Sequence, residues 1–110
     1  MSDNVRYSDS SERKKIHLAA VWANNFTNHL LHISQEYCAK NELDFNLLFP
    51  LIQETVDKLK SKSAFDSQTG PSRRNDNEII NNHIAMLESS KEKEIYSLLT
   101  NSIKDLYKND

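Results

Sequence analysis

A short polar stretch of the chain, residues 67–76, carries the groups that a small-molecule site needs. Gln68 and Thr69 offer an amide and a hydroxyl, and they precede the single glycine of the 110 residues, Gly70, and Pro71. The glycine lets a backbone or a ligand approach closely, and the proline stiffens the exit of the turn. Because both flanks predict helix, we interpret this stretch as a substrate-binding or cleft-lining loop on a helical scaffold.

Three further candidates follow this turn along the chain. Arg74 can form an ion pair with Asp76, or it can hold an anion instead. Asp76 is also placed to cap the helix that the next apolar residues predict. His83 lies one to two turns into that helix on its inner stripe, where a core histidine with a satisfied hydrogen bond is the usual explanation. We include all three among the candidate cleft residues.

A second group of polar side chains lies on the first predicted helix. At 100° per residue, His17, Asn24 and Asn28 fall within about 40° of one another, and Asn25 lies further round on the same side. Uncharged polar groups on a buried helix need hydrogen-bond partners. They therefore form an internal network or a wet dimer interface, or they line one wall of a ligand pocket.

The sequence predicts neither a metal site nor a cofactor site in this chain. His29 and His32 are spaced for one metal ion, but a structural zinc site needs about four ligands and Cys38 is the single thiol. The neighbours of Cys38 indicate a small buried apolar residue. With one glycine in the chain, the Gly-rich dinucleotide fingerprints are excluded.

Composition and charge limit the classes of function that this chain can have. The chain has 14 Lys and Arg against 16 Asp and Glu, a net charge of −2, which gives no electrostatic case for nucleic-acid binding. A lone cysteine forms no internal disulfide and fits a reducing compartment. No apolar run reaches the roughly 18 residues of a membrane span, and no signal segment opens the chain. We expect a cytoplasmic protein.

The elements that must position these residues are all helical, and the first helix is long. Asp9 or Ser10 can cap it, and no proline or glycine interrupts the pattern until Pro50, so it runs from about Ser11 to about Asn41. Its length of roughly 45 Å exceeds the diameter of roughly 35 Å of a compact domain of this size. Apolar residues cover its first turns on nearly all sides. We therefore expect it to pack on a second copy or on another domain.

Three more helices follow, giving an all-α bundle of about four helices. Asp44 can cap the second, and Pro50 predicts a kink or a short turn before its main part. A loop over residues 61–75 leads to the third helix, and Ser89 with Glu92 forms a capping box for the fourth. The predicted inner stripes of the last two helices are Ile79, Ile80, His83, Ile84 and Leu87, and then Ile95, Leu98, Leu99, Ile103 and Leu106.

The first nine residues do not belong to the helical pattern. Val5 and Tyr7 alternate with polar residues, as at the end of a strand or in an extended linker. We expect residues 1–9 to be a linker or the remnant of a preceding domain, and residues 10–110 to form the helical domain of a longer protein.

The order and spacing of several motifs resemble one family. They are His17-Leu18-Ala19-Ala20-Val21, Asn24-Asn25-Phe26, Asn28-His29-Leu30, Phe49-Pro50-Leu51-Ile52, Gln68-Thr69-Gly70-Pro71 with Arg74 and Asp76, and His83-Ile84 with Leu87. The family is domain of unknown function 2520, the helical C-terminal domain that follows a Rossmann-like domain in NAD(P)-dependent oxidoreductases. It is similar in fold to the C-terminal domains of 6-phosphogluconate dehydrogenase relatives. The resemblance covers roughly residues 10–108.

The resemblance implies a substrate-side and dimerisation domain. NAD(P) would bind a Rossmann domain outside this chain, a small substrate would enter a cleft lined by the candidate residues above, and His17 would be the proton donor. The isolated chain would be inactive. The family often has a small residue at Arg73 and a glycine at Asn75, although asparagine tolerates left-handed backbone. The alternative is a free-standing helical dimerisation or interaction module without catalysis.

Overall fold

The computed structural model describes residues 9–109, and every regular element in this range is helical. The α-helices are α1 (Ser10–Ala20), α2 (Phe26–Lys40), α3 (Phe49–Asp57), α4 (Ala64–Ser67), α5 (Asn77–Met86) and α6 (Ser90–Tyr107). A π-helical turn occupies Val21–Asn25, and 3₁₀ turns occupy Phe45–Leu48 and Lys58–Lys60. The all-α prediction is confirmed. The extended segment predicted around Val5 and Tyr7 lies outside the described residues.

The chain divides into two compact units, one ending at Ile52 and one beginning at Gln53. The first unit is dominated by a long helix of 31 residues, in which α1, the π turn and α2 follow one another without a break. Asp9 caps this helix, because its Oδ1 accepts a hydrogen bond from the Glu12 backbone N–H at 2.8 Å. The predicted long helix is thus confirmed, with both ends within two residues of their expected positions.

The C-terminal end of the long helix is a Schellman motif. The Leu43 N–H donates to the Cys38 carbonyl at 2.8 Å, and the Glu42 N–H donates to the Ala39 carbonyl at 3.4 Å. This geometry places Glu42 in the left-handed region, with a φ of 58°. Cys38, one turn earlier, is 5% exposed, which confirms its predicted burial.

The predicted short turn before the second helix is also present. Asp44 caps the 3₁₀ turn Phe45–Leu48 by accepting a hydrogen bond from the Asn46 N–H at 3.0 Å. The helix α3 then begins at Phe49, so Pro50 occupies its first turn, where a missing N–H leaves no helical hydrogen bond unmade.

The first half of the long helix has little packing of its own. Between Asp9 and Leu30, every residue is exposed except Val21, which is half-buried. The exposed set includes large apolar side chains, with Trp22 at 66% and Leu18 at 59%. The predicted apolar character of this helix therefore corresponds to a surface that the described part of the chain leaves uncovered.

The second unit packs α5 against α6. The predicted inner stripe of α5 is confirmed, since Ile80 is buried and its four companions are half-buried. On α6 the predicted stripe is partly wrong, because Leu98 is 70% exposed and Leu106 is 61% exposed, whereas Thr100 and Tyr107 are buried. Within the predicted loop, Ser63 caps the extra short helix α4 through a hydrogen bond from the Asp66 N–H.

Candidate functional site

The loop between α4 and α5 is held in shape by its own backbone. The Asp76 N–H donates to the Pro71 carbonyl at 2.9 Å, and the Asn75 N–H donates to the Ser72 carbonyl at 3.2 Å. Two residues lie in the left-handed region, Gly70 with a φ of 101° and Asn75 with a φ of 57°. The loop therefore needs Gly70 for its backbone, and Asn75 adopts a conformation that a glycine would take without strain.

Asp76 has a structural task at the end of this loop. Its Oδ1 accepts a hydrogen bond from the Ile79 N–H at 3.3 Å and so caps α5, as the sequence predicts. Within residues 9–109, Arg74 makes no ion pair with Asp76 or with any other carboxylate. Of the two open possibilities for Arg74, the ion pair with Asp76 is absent from the structure.

An aromatic pair supports the loop from the side of α6. The Arg73 guanidinium carbon lies 4.1 Å from the centre of the Tyr107 ring, a cation–π distance. The Phe65 ring stacks with Tyr107 at 4.7 Å between centroids, and the Tyr107 hydroxyl donates to the Phe65 carbonyl at 2.6 Å. Ser72 is buried and its hydroxyl meets that of Thr100 at 3.4 Å. The loop is thus fixed to α4 and α6.

A cavity of about 500 Å³ opens between the loop and the last turns of α6. We call it the loop cavity, and its lining residues are Ser72, Arg73, Arg74, Asn75, Lys104, Asp105, Tyr107 and Lys108. Of the candidate site residues Gln68, Thr69, Gly70, Arg74 and Asp76, only Arg74 lines it. Gln68 and Thr69 are exposed and outside the lining, with the Gln68 amide donating to the Thr69 carbonyl at 3.0 Å.

Sequence reasoning missed most of this cavity. Ser72, Lys104 and Lys108 were not predicted to line a site, because each belongs to a polar segment whose composition is typical of solvent-exposed surface. The i, i+4 spacing of Lys104 and Lys108 was an available signal, since it places both cations on one face of α6.

His83 is integrated into the packing of the second unit. Its Nδ1 lies 2.7 Å from the Tyr96 hydroxyl on α6, and the two rings meet edge to face. Burial raises the pKa of the Tyr96 hydroxyl above its ordinary value, because the charged phenolate is poorly solvated there. This is the satisfied core histidine that the sequence favoured, and a role for His83 in a cleft stays a prediction.

The candidates on the long helix surround the π turn. His17 precedes it, Asn24 and Asn25 lie within it, and Asn28 follows it, all four with exposed side chains. A π turn holds an extra residue, so side chains before it rotate by roughly 100° relative to those after it. The rotation of 100° per residue that the prediction assumed therefore does not hold across residues 21–25. As a result, His17 does not lie on the same face as Asn24 and Asn28, contrary to the prediction.

The structure also describes the two histidines spaced for a metal ion. The rings of His29 and His32 stack with their centroids 6.1 Å apart. Within the described range, no third His, Cys, Asp or Glu joins them in a group that could hold a metal ion. Nor does any helix there combine the length and the apolar character needed to cross a bilayer.

Comparison with known proteins defines the class to which this fold and loop belong. Residues 1–103 match the model of the domain of unknown function DUF2520, and the chain belongs to that family. The fold is similar to that of a protein from Bacteroides fragilis described as a putative NADP oxidoreductase. The TM-score is 0.85 and the identity 40%, over 89% of this chain and 38% of that protein. No protein of curated function matches the chain.

Proposed function

We propose that this chain is the substrate-side and dimerisation domain of an NADP-dependent oxidoreductase. The observation that carries this proposal is the 40% identity, over 89% of the chain, to a protein described as a putative NADP oxidoreductase, of which the chain spans 38%. At that share, the remaining length of such a protein is ample for a separate Rossmann domain. The cofactor would carry the hydride, and this domain would orient the substrate and close the cleft.

The π turn supports a cleft wall on the long helix. Such turns are rare in proteins, and many of those that occur lie at functional sites. Here the turn includes Asn24 and Asn25, whose amides can both donate and accept hydrogen bonds. No hydrogen bond joins the side chains of His17, Asn24, Asn25 and Asn28 to one another in the described residues. These groups remain able to contact a substrate.

His17 is the proposed proton donor, because imidazole is the commonest general acid in enzymes and the His17 side chain is exposed. The test uses the complete gene product and compares NADPH oxidation by the wild type with that by His17→Gln. We expect kcat to fall by about 10² or more while NADPH affinity changes little. His32→Gln is the matched control, an exposed histidine of the same helix. Equal turnover in both variants would reject His17 as the donor.

The exposed apolar surface of the long helix also favours a second candidate, a dimerisation or interaction module without catalysis. Both candidates need a partner for Trp22 and Leu18, so self-association alone does not separate them. The two differ in cofactor use. A complete gene product that forms dimers but neither binds nor oxidises NADPH would favour the interaction module and reject the oxidoreductase.

A further inference from the structure

The loop cavity concentrates positive charge in a chain that is acidic overall. Arg73 and Arg74 reach it from the loop, and Lys104 and Lys108 reach it from α6. Four of the chain's 14 Lys and Arg residues therefore line one cavity, and among residues 9–109 the one carboxylate in the lining is that of Asp105. The net charge of the chain is −2, so composition does not account for this local excess.

No ion pair within residues 9–109 involves Arg74, Lys104 or Lys108. Three ion pairs of the second unit, Glu54–Lys58, Asp57–Lys60 and Lys91–Glu94, lie outside the cavity. Lysines in the last turn of a helix complement its dipole, which explains Lys104 and Lys108. The helix dipole does not explain why Arg74, which lies in the loop, also lines the cavity.

The cavity is also ordered enough to select a ligand. Tyr107 and Ser72 are 7% and 9% exposed, so part of the lining is buried and fixed. The Arg73 guanidinium lies over the Tyr107 ring, and this contact fixes the arginine beside the cavity. The Lys104 ammonium is held by a hydrogen bond to the Asn77 side chain, at the start of α5.

We propose that the loop cavity binds the phosphate group of a small phosphorylated molecule. Several cations around one cavity match a dianion better than a monocarboxylate, and arginine offers two parallel donors to phosphate oxygens. The volume of about 500 Å³ exceeds that of one phosphate and falls in the range of small-molecule sites, so it accommodates an attached organic group.

The proposal does not depend on the oxidoreductase function, because binding is measured without turnover. Backbone amide NMR signals of the protein are followed while inorganic phosphate is added at constant ionic strength. We expect saturable shifts confined to residues 72–75 and 104–108. Weak, unsaturated shifts spread over the whole surface would reject a specific site.

Two variants separate a built site from general charge attraction. Arg74→Gln should weaken phosphate binding about tenfold or more, because it removes charge-assisted hydrogen bonds. Lys62→Gln removes the same charge from an exposed position outside the cavity and should leave binding within about twofold. Equal losses in the two variants would overturn the proposal. Arg74 is exposed, and the amide spectrum of each variant shows whether its fold is intact.

The ligand class is tested with three further compounds. Acetate should bind more weakly than phosphate, and equal binding of acetate would reject the preference for a phosphate group. Adenosine 2′-monophosphate and glycerol 3-phosphate present the same dianion on a nucleotide and on a non-nucleotide. The compound that binds more tightly shows whether the phosphate belongs to a nucleotide or to a non-nucleotide. If neither compound binds, the proposal is rejected.

Discussion

Nδ1 of His83 and the hydroxyl oxygen of Tyr96 are 2.7 Å apart, and this hydrogen bond joins α5 to α6 across their half-buried contact. Tyr96→Phe removes the hydroxyl and leaves the imidazole nitrogen without its partner. We expect the free energy of unfolding in urea to fall by about 1 kcal/mol. Tyr37→Phe is the control, because Tyr37 is also half-buried and its hydroxyl makes no hydrogen bond in the described residues. Equal losses in both variants would mean that the contact with His83 does not stabilise the fold.

Burial of Tyr96 predicts a pH dependence at alkaline pH. Its pKa is raised in the folded state by desolvation, so the unfolded chain loses this proton first as pH rises. The stability linked to the neutral hydroxyl is complete below the ordinary tyrosine pKa of about 10 and is lost as pH rises through the higher folded value. As pH rises above about 10, the wild type should lose unfolding free energy faster than Tyr96→Phe does. Parallel curves for the two proteins would contradict the raised pKa.

The left-handed φ of 57° at Asn75 predicts how this loop position responds to substitution. Asn75→Gly should be neutral or slightly stabilising, whereas Asn75→Ala should cost about 1 kcal/mol, since a Cβ disfavours this conformation and alanine lacks the local hydrogen bonding of asparagine. Thermal unfolding measures both changes. Asn101→Ala is the control, because Asn101 is exposed within α6, where alanine favours the helix. A destabilising Asn75→Gly would contradict the strain argument.

Glu42 is the opposite case to Asn75. It disfavours left-handed backbone, yet it occupies the position at a helix end where glycine is usual. It occupies the left-handed position of the Schellman motif with a φ of 58°. Glu42→Gly should therefore raise the unfolding free energy by up to about 1 kcal/mol. Glu36→Gly makes the same replacement at an exposed position inside α2 and should lower it by about 1 kcal/mol. Thermal unfolding of the two variants should thus shift in opposite directions, and a loss of stability in both would contradict the capping argument.

The sequence predicted local structure well wherever one side chain decides it. Asp9, Asp44, Asp76 and Ser89 each accept the capping hydrogen bond that their positions implied. The π turn was not predictable, because no proline or glycine marks it and an extra residue in a helix has no compositional signal. The predicted stripe of α6 was partly wrong for a related reason. Leucine periodicity cannot show that Tyr107 turns inward to meet Arg73 and Phe65.

The candidate site shows the same division between local and long-range determinants. Gly70 was identified from its backbone freedom, and Asn75 was noted as a position where asparagine tolerates left-handed backbone; both adopt positive φ. Predicting the loop cavity requires knowing which distant residues come together. Arg74 and Lys104 are about thirty residues apart in sequence, and they line one cavity only after α5 and α6 have packed. A linear pattern of residues does not predict such a pairing.

The exposed aromatic pair of the long helix gives the sharpest test of self-association. Trp22 and Phe26 meet edge to face at 5.2 Å, and Trp22 is 66% exposed, so the pair presents a rigid apolar surface. Buried tryptophans dominate the energetics of many interfaces, and a truncation at such a position commonly costs 2 kcal/mol or more, or roughly 30-fold in affinity. Trp22→Glu should therefore shift the monomer–dimer equilibrium toward monomer in sedimentation equilibrium. Gln35→Glu, an exposed change on the same helix, should leave it unaltered. A wild-type protein that stays monomeric at high concentration would contradict the dimerisation proposal, and an unchanged dimer in Trp22→Glu would place its interface elsewhere.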